Sequence, residues 1–408
     1  TNNHDFIGVG LMQGPDGALY FSDWVDPQTC HHRDVEIWDR SNGRIFRVRH
    51  GEVKTTTLDL PDLGDAGLVA ALADGNAVVA RQAQRLLQER KSLGKLDAGV
   101  VAKALTQMES TDRGELPLRL RALWARHVCG LLNEEILAGY LDDANEYYRA
   151  WAIQLLGESG EALSGETLKK LEALARDEFS LVTRRYLASL LQRLPHGQRW
   201  GIAKGLIAHH RSSQDRNLPL LCWYGIEPLV EADPERSLAL VNETPWGQLK
   251  EFMTRRATLF PEGRAAMMTA LTATRSTGDF QQLAGQLLKS LEKLPSVEAP
   301  QNWDAIKKHA RSLKGNQGAV NGVLSQLGAR FGDSEFFPAL RAIAEDGKQP
   351  VDKRVNAMKL LIAGEDPDLE ALARELLQVR SMQGVALEAL RQFPGIETAN
   401  ALVERLPQ

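Results

Sequence analysis

The densest set of chemically versatile side chains lies near the start of the 408-residue chain, where Cys30, His31 and His32 stand among Asp23, Asp26, Asp34 and Asp39. Neutral imidazole together with carboxylate suits zinc, iron or copper, and residues 25–40 form a stretch long enough to fold over a site. His31, His32 and Asp39 are therefore the candidate ligands for a metal ion of unknown identity. The spacing matches no specific metal motif, and adjacent histidines in an extended chain point to opposite faces, so both reach one ion only through a special turn. A loop histidine that hydrogen-bonds locally is the stronger expectation. Asp16, set between Gly14 and Gly17, reads as turn chemistry rather than catalysis.

Further along, Trp223, Tyr224 and Trp246 read first as packing residues, and as a binding groove if they are exposed. Arg119, Arg121, Arg126, Arg184–Arg185 and Arg255–Arg256 could line a stripe that grips phosphates. The stronger expectation is that each bonds carbonyls or carboxylates of a neighbouring helix. His209–His210, at a helix end, suits terminal carbonyls better than a metal. No G-x-S-x-G, H-E-x-x-H, Walker loop, dinucleotide fingerprint or C-x-x-C-H occurs, so the familiar nucleophile, zinc, phosphate, dinucleotide and haem-attachment sites have no support within this sequence.

Composition narrows the class. Forty-nine basic against 53 acidic residues give a net charge of −4, which disfavours a general nucleic-acid binder. Three scattered cysteines, Cys30, Cys129 and Cys222, are too few for a disulfide framework, and the latter two sit in apolar runs as small core residues. No apolar run reaches membrane-spanning length, and residues 1–30 do not read as a signal peptide. The start at Thr1 suggests a processed or excised product.

The elements that must position these residues fall into two textures. Residues 1–57 read as a small antiparallel β segment: residues 7–12, the Gly14–Pro15–Asp16–Gly17 turn, residues 18–24, an irregular stretch, residues 44–48 after Asn42–Gly43, and the β-branched run 53–57. Four short strands of that size make one propeller blade, which cannot bury both faces alone.

The runs GPDGALYFSDW (14–24) and NGRIFRV (42–48), with NLPLLCWYGIEPLV (217–230), resemble parts of the large secreted propeller dehydrogenase-like proteins of planctomycete and verrucomicrobial type. That resemblance implies the closing blade of a sugar-dehydrogenase-type propeller, followed by helical repeats. It places propeller blades upstream and a cytochrome c domain downstream, in a periplasmic or secreted protein. The chain contains neither the earlier blades nor the haem motif, so the resemblance carries no electron-transfer role onto these residues.

Residues 58–408 read as helices of ten to eighteen residues with short polar breaks, a mainly α, HEAT-like α-solenoid of eight to nine hairpins. An Arg followed three residues later by Ala recurs at Arg119/Ala122, Arg149/Ala152, Arg185/Ala188 and Arg354/Ala357, with first intervals of 30 and 36 residues. Residues 145–157 are the clearest rung, with Trp151, Ile153, Leu155 and Leu156 as its core stripe. Pro219, Pro228, Pro234 and Pro245 predict irregularity over 217–247.

Three functions follow as expectations. The first is a non-catalytic interaction or spacer scaffold that positions flanking domains or binds a protein partner. The second is part of an oxidoreductase acting on a sugar or related alcohol, with the 23–39 loop contributing to the site. The third, nucleic-acid binding through the arginines, is disfavoured by the charge balance.

Overall fold

The computed structural model describes residues 6–24, 43–51, 59–111, 115–210, 214–291 and 297–403. The candidate ligands His31, His32 and Asp39, together with the expected strand 53–57, lie outside the described residues. The chain divides into two compact units, Thr1–Leu137 and Ala138–Gln408.

The first unit opens with an antiparallel sheet of three described strands in the order β1 (Gly8–Gln13), β2 (Leu19–Asp23), β3 (Arg44–Val48). The turn joining β1 to β2 is closed by Gly14 N–H donating to Ala18 O at 2.7 Å and by Ala18 N–H donating to Asp16 Oδ1 at 3.1 Å. Gly17 adopts φ 76°, a conformation that strains residues bearing a Cβ. Asp16 thus serves the turn, and its carboxylate also takes the Tyr20 hydroxyl and an ion pair with Arg47.

Register pairs Phe21 with Phe46 and Leu19 with Val48, and Phe6 joins the two phenylalanine rings at 6.1 and 5.9 Å. Asp23, buried at the sheet end, accepts from the Ile7 amide and pairs with Arg44. Apolar side chains remain exposed on both faces, Leu11, Leu19 and Val48 on one and Met12 and Ile45 on the other.

Behind the sheet in sequence come α1 (Asp65–Ala71), α2 (Ala77–Ser92), α3 (Ala98–Thr111) and α4 (Leu116–Val128), with α5 (Glu134–Tyr140) at the division between units. These helices gather Leu68, Leu72, Leu87, Val101, Leu105 and Cys129 into one core. Asn76 does two jobs. Its side-chain oxygen caps α2 through Val78 N–H, and its amide donates to Gly14 O and Pro15 O at 3.0 and 3.1 Å, fixing the hairpin turn to the helix.

In the second unit the sequence continues through α6 (Glu146–Leu156), α7 (Gly165–Asp177), α8 (Leu181–Leu191), α9 (His196–Ile207), α10 (Leu218–Ala232), α11 (Pro234–Glu243), α12 (Gly247–Ala257) and α13 (Pro261–Leu271). It ends with α14 (Thr277–Leu291), α15 (Trp303–Ser312), α16 (Gln317–Arg330), α17 (Phe337–Glu345), α18 (Val351–Ala363), α19 (Leu369–Leu376), α20 (Gln383–Leu390) and α21 (Ile396–Val403). Each even-numbered helix from α6 packs on the next even one through to α20, while α7 packs on α9 and α11 on α13. The chain is mainly helical with a small antiparallel sheet, as expected.

The stretch 217–247 is more regular than the prolines suggested. Pro219 and Pro234 sit in the first turns of α10 and α11, where the missing N–H would have no helical partner anyway. Pro228 lies inside α10, and the helix runs through it. Close approach explains one feature here: a Cβ on Gly225 would stand 2.4 Å from Leu191 Cβ, so glycine lets α10 lie against α8. Trp151 also differs from its expected role. It is half-buried, and the buried face of α6 is made by Tyr148, Ala150, Ala152, Ile153, Leu155 and Leu156.

Candidate functional site

Aligning the helix starts of the second unit brings out a row that sequence reading saw only in part. The N-caps of α6, α8, α10 and α12 are Asn145, Ser180, Asn217 and Trp246, and six residues after each stands an aromatic ring: Trp151, Tyr186, Trp223 and Phe252. All four are half-buried. Because the four helices pack in succession, equal position along each helix puts the rings on neighbouring rungs. Trp151 meets Tyr186 with centroids 6.5 Å apart, and Trp223 meets Phe252 at 5.4 Å.

Tyr224, next to Trp223, is 51 % exposed, and Tyr147 lies one turn before Trp151 with 46 % exposure. Phe179, in the loop that opens α8, is 93 % exposed. Three or four residues beyond the rings come the polar side chains Gln154, Ser189, Glu227 and Arg255.

The rungs that carry the row are tied by basic side chains reaching to the segment that opens the helix next but one. Arg149 donates to both carboxylate oxygens of Glu178 at 2.9 Å and to the carbonyls of Asp143 and Ala144. Arg185 holds Asp215 at 2.5 Å, and Lys250 holds Asp279 at 3.1 Å. The same device continues with Lys307 on Asp333, Arg341 on Asp366 and Asp368, and Arg374 on Glu397. Glu178 and Asp215 are almost fully buried as side chains, so their charges depend on these partners.

Several further arginines are also used internally. Arg121 donates to Leu72 O and Asp74 O, Arg126 pairs with Glu109, and Arg256 pairs with Glu227 and Glu231. Arg184 is buried and donates to His209, whose other ring nitrogen faces Ala175 O at 3.0 Å. Among the arginines considered for a basic stripe, Arg126, Arg185 and Arg256 are thus neutralised by carboxylates of the chain itself.

Of the binding candidates, Tyr224 is on the surface and Trp223 is half-buried in the row. Trp246 is buried, its indole N–H donating to His209 O at 2.8 Å, so it braces the head of α12 rather than facing outward. Trp303 is likewise buried and donates to Asp333 at 2.8 Å. Tyr186, Phe252 and the outward part of Trp151 escaped sequence reading. Their common position after the N-cap was the signal available.

A cavity of about 280 Å³ in the first unit lies between the Asp16–Gly17 turn and the start of α2, with Asp74 and Asn76 in its wall. A shallow groove of about 440 Å³ beside α10 is lined by His196, Glu227, Glu231 and Arg256. Among the described residues no group of three or more His, Cys, Asp or Glu is placed to hold a metal ion, and no helix is long and apolar enough to cross a membrane. Cys129 and Cys222 are buried thiols; desolvation pushes Cys129 up to about 11 and raises Cys222 further.

Comparison with protein families finds no family model that matches this sequence, and comparison with curated proteins finds no similar one.

Proposed function

We propose that this chain is a non-catalytic interaction scaffold: a HEAT-like α-solenoid that holds a polypeptide partner along the row Trp151, Tyr186, Trp223 and Phe252. The observation that carries this reading is the recurrence of a half-buried aromatic ring at one position on four successive helices. Packing alone asks each helix only for a buried apolar stripe. Rings that are partly open, with exposed Tyr224 and polar side chains beside them, supply the apolar surface and hydrogen-bonding groups that a stretch of polypeptide offers in return. The internal pairing of the arginines weighs against a phosphate backbone as the partner.

Short peptides selected from a display library on the wild-type chain test this reading. They are expected to lose about tenfold or more in affinity on a Trp151→Ala/Trp223→Ala variant that keeps its helical circular dichroism. Equal binding to both proteins would overturn it.

The sheet favours a complementary reading of the first unit. Apolar side chains exposed on both of its faces fit an inner layer of something larger, and we propose that it is one blade of a propeller in a dehydrogenase-like protein, as the resemblance implies. Coding sequence upstream of Thr1 that specifies further blades is the expected finding, and an upstream region without them removes this proposal.

A further inference from the structure

The aromatic row runs on into the groove beside α10. Glu227 follows Trp223 by four residues and Tyr224 by three, so it stands one turn along the same side of the helix. With Glu231, His196 and Arg256 it lines the groove of about 440 Å³. Arg256 Nη2 is 2.7 Å from Glu231, but its Nε comes no nearer to Glu227 than 3.5 Å. Among the residues lining the groove, one guanidinium therefore serves two water-accessible carboxylates, and Glu227 is the less engaged of them.

The hydrogen-bonding groups along the row are chiefly donors. The indoles of Trp246 and Trp303 are spent on His209 O and Asp333. By contrast, the Trp223 indole and the Tyr186 and Tyr224 hydroxyls meet no protein acceptor among the described residues. An indole N–H only donates, and a phenol donates readily. The matching segment brings carbonyls that are not accompanied by N–H groups, flat apolar side chains and one cation. Proline supplies the first two, since its tertiary amide has no N–H, its carbonyl is free to accept in the polyproline II helix, and its ring packs on aromatic faces. A β-strand would bring an N–H with every carbonyl, for which these rings offer few acceptors.

We infer that the polypeptide held by the row is a proline-rich segment in the polyproline II conformation, with a basic residue at one end that pairs with Glu227. This rests on the scaffold reading above and narrows it. The rings meet in two pairs, Trp151 with Tyr186 at 6.5 Å and Trp223 with Phe252 at 5.4 Å, and the pairs follow each other by two helix-to-helix steps. Two such steps cover about 16–20 Å. Six residues of polyproline II span about 19 Å and return to the same face, so prolines six apart in the segment reach both pairs. Because that helix is stiff before it binds, little ordering cost offsets the contacts.

Calorimetric titration of the full chain tests this with three synthetic ten-residue peptides: an oligoproline ending in arginine, the same peptide ending in glutamate, and a glycine–serine peptide ending in arginine. The first is expected to bind about tenfold or more tighter than the third, and to lose that advantage on Trp223→Ala. Glu227→Gln is expected to shrink the preference for the arginine end over the glutamate end by about threefold. Should Trp223→Ala lose its helical circular dichroism, Trp223→Phe keeps a ring and drops only the donor, and is expected to weaken oligoproline binding about threefold or more. Oligoproline binding no tighter than the glycine–serine peptide, or equally tight when the Trp223 ring or its donor is removed, overturns the inference. A preference for the arginine end that survives Glu227→Gln overturns the pairing with that carboxylate. Row-dependent binding of library peptides that lack proline leaves the scaffold reading standing and removes this inference alone, whereas the absence of any row-dependent peptide removes both.

Discussion

Trp151 and Ile153 stand two positions apart on one helix and show how much a side chain's role depends on the direction it faces. Both are large and apolar. Ile153 is fully buried, whereas Trp151 is half-open against Tyr186. Ile153→Asp buries a charge without a partner and is expected to unfold the surrounding helices. Trp151→Asp leaves its carboxylate a path to water and should cost less than half as much in a urea melt. Equal losses would return Trp151 to the core.

Asp215 sets a second residue-scale expectation. The Arg185 guanidinium, helped by the Leu218 and Asn217 amides, holds its carboxyl down to about 2. A carboxyl whose native pKa is depressed stabilises the fold above its unfolded value near 3.9, and that contribution is lost as pH falls from there toward 2. Asp215→Asn should therefore flatten the acid limb of the stability curve between pH 4 and 2. The difference from wild type should be on the order of 1–2 kcal/mol at pH 5 and should shrink toward zero at pH 2.

At the scale of elements, the chain repeats one solution: a helix whose basic residue reaches the opening of the helix next but one. Arg149→Ala removes the partner of a carboxylate, Glu178, that water hardly reaches, and a loss of about 2–4 kcal/mol is expected. Arg85→Ala breaks a pair with Glu89 whose members are both well exposed, and should cost about 0.5 kcal/mol or less. Chemical denaturation of the two variants checks the contrast, and similar losses would mean that the link from α6 to α8 is not held by this pair. The Arg-x-x-Ala recurrence was a trace of the device in sequence. Arg149 and Arg185 reach neighbouring carboxylates as expected, whereas Arg354 instead donates to Ala344 O within its own hairpin. Spacing could mark these arginines, but their acceptors lie 29 and 30 residues away in the first two cases and 10 away in the third.

For the whole molecule, each of the two compact units has its own internal contacts, and helices that touch mainly near neighbours unfold in segments more readily than a single close-packed core. Urea denaturation followed by helical circular dichroism and by tryptophan fluorescence is expected to give transitions that do not coincide. One shared midpoint with one shared slope would show instead that the chain unfolds as a single cooperative body.

The sequence by itself determined the helical character, most helix positions and the β hairpin with its Gly14–Gly17 turn. These follow from local rules, apolar periodicity, capping residues and the φ freedom of glycine, which act within a few residues. It could not place the aromatic row. A ring at 151 meets a ring at 186 only because two helices pack at a particular rotation, and rotation is settled by the sum of the contacts on the buried face. For the same reason the sequence left Trp246 open between packing and a binding groove, and it is an interior brace, while Trp151 looked like core and is half open. Which histidine meets a buried arginine was likewise decided by tertiary structure alone, since Arg184 and His209 are brought to 2.9 Å by the packing of α8 against α9.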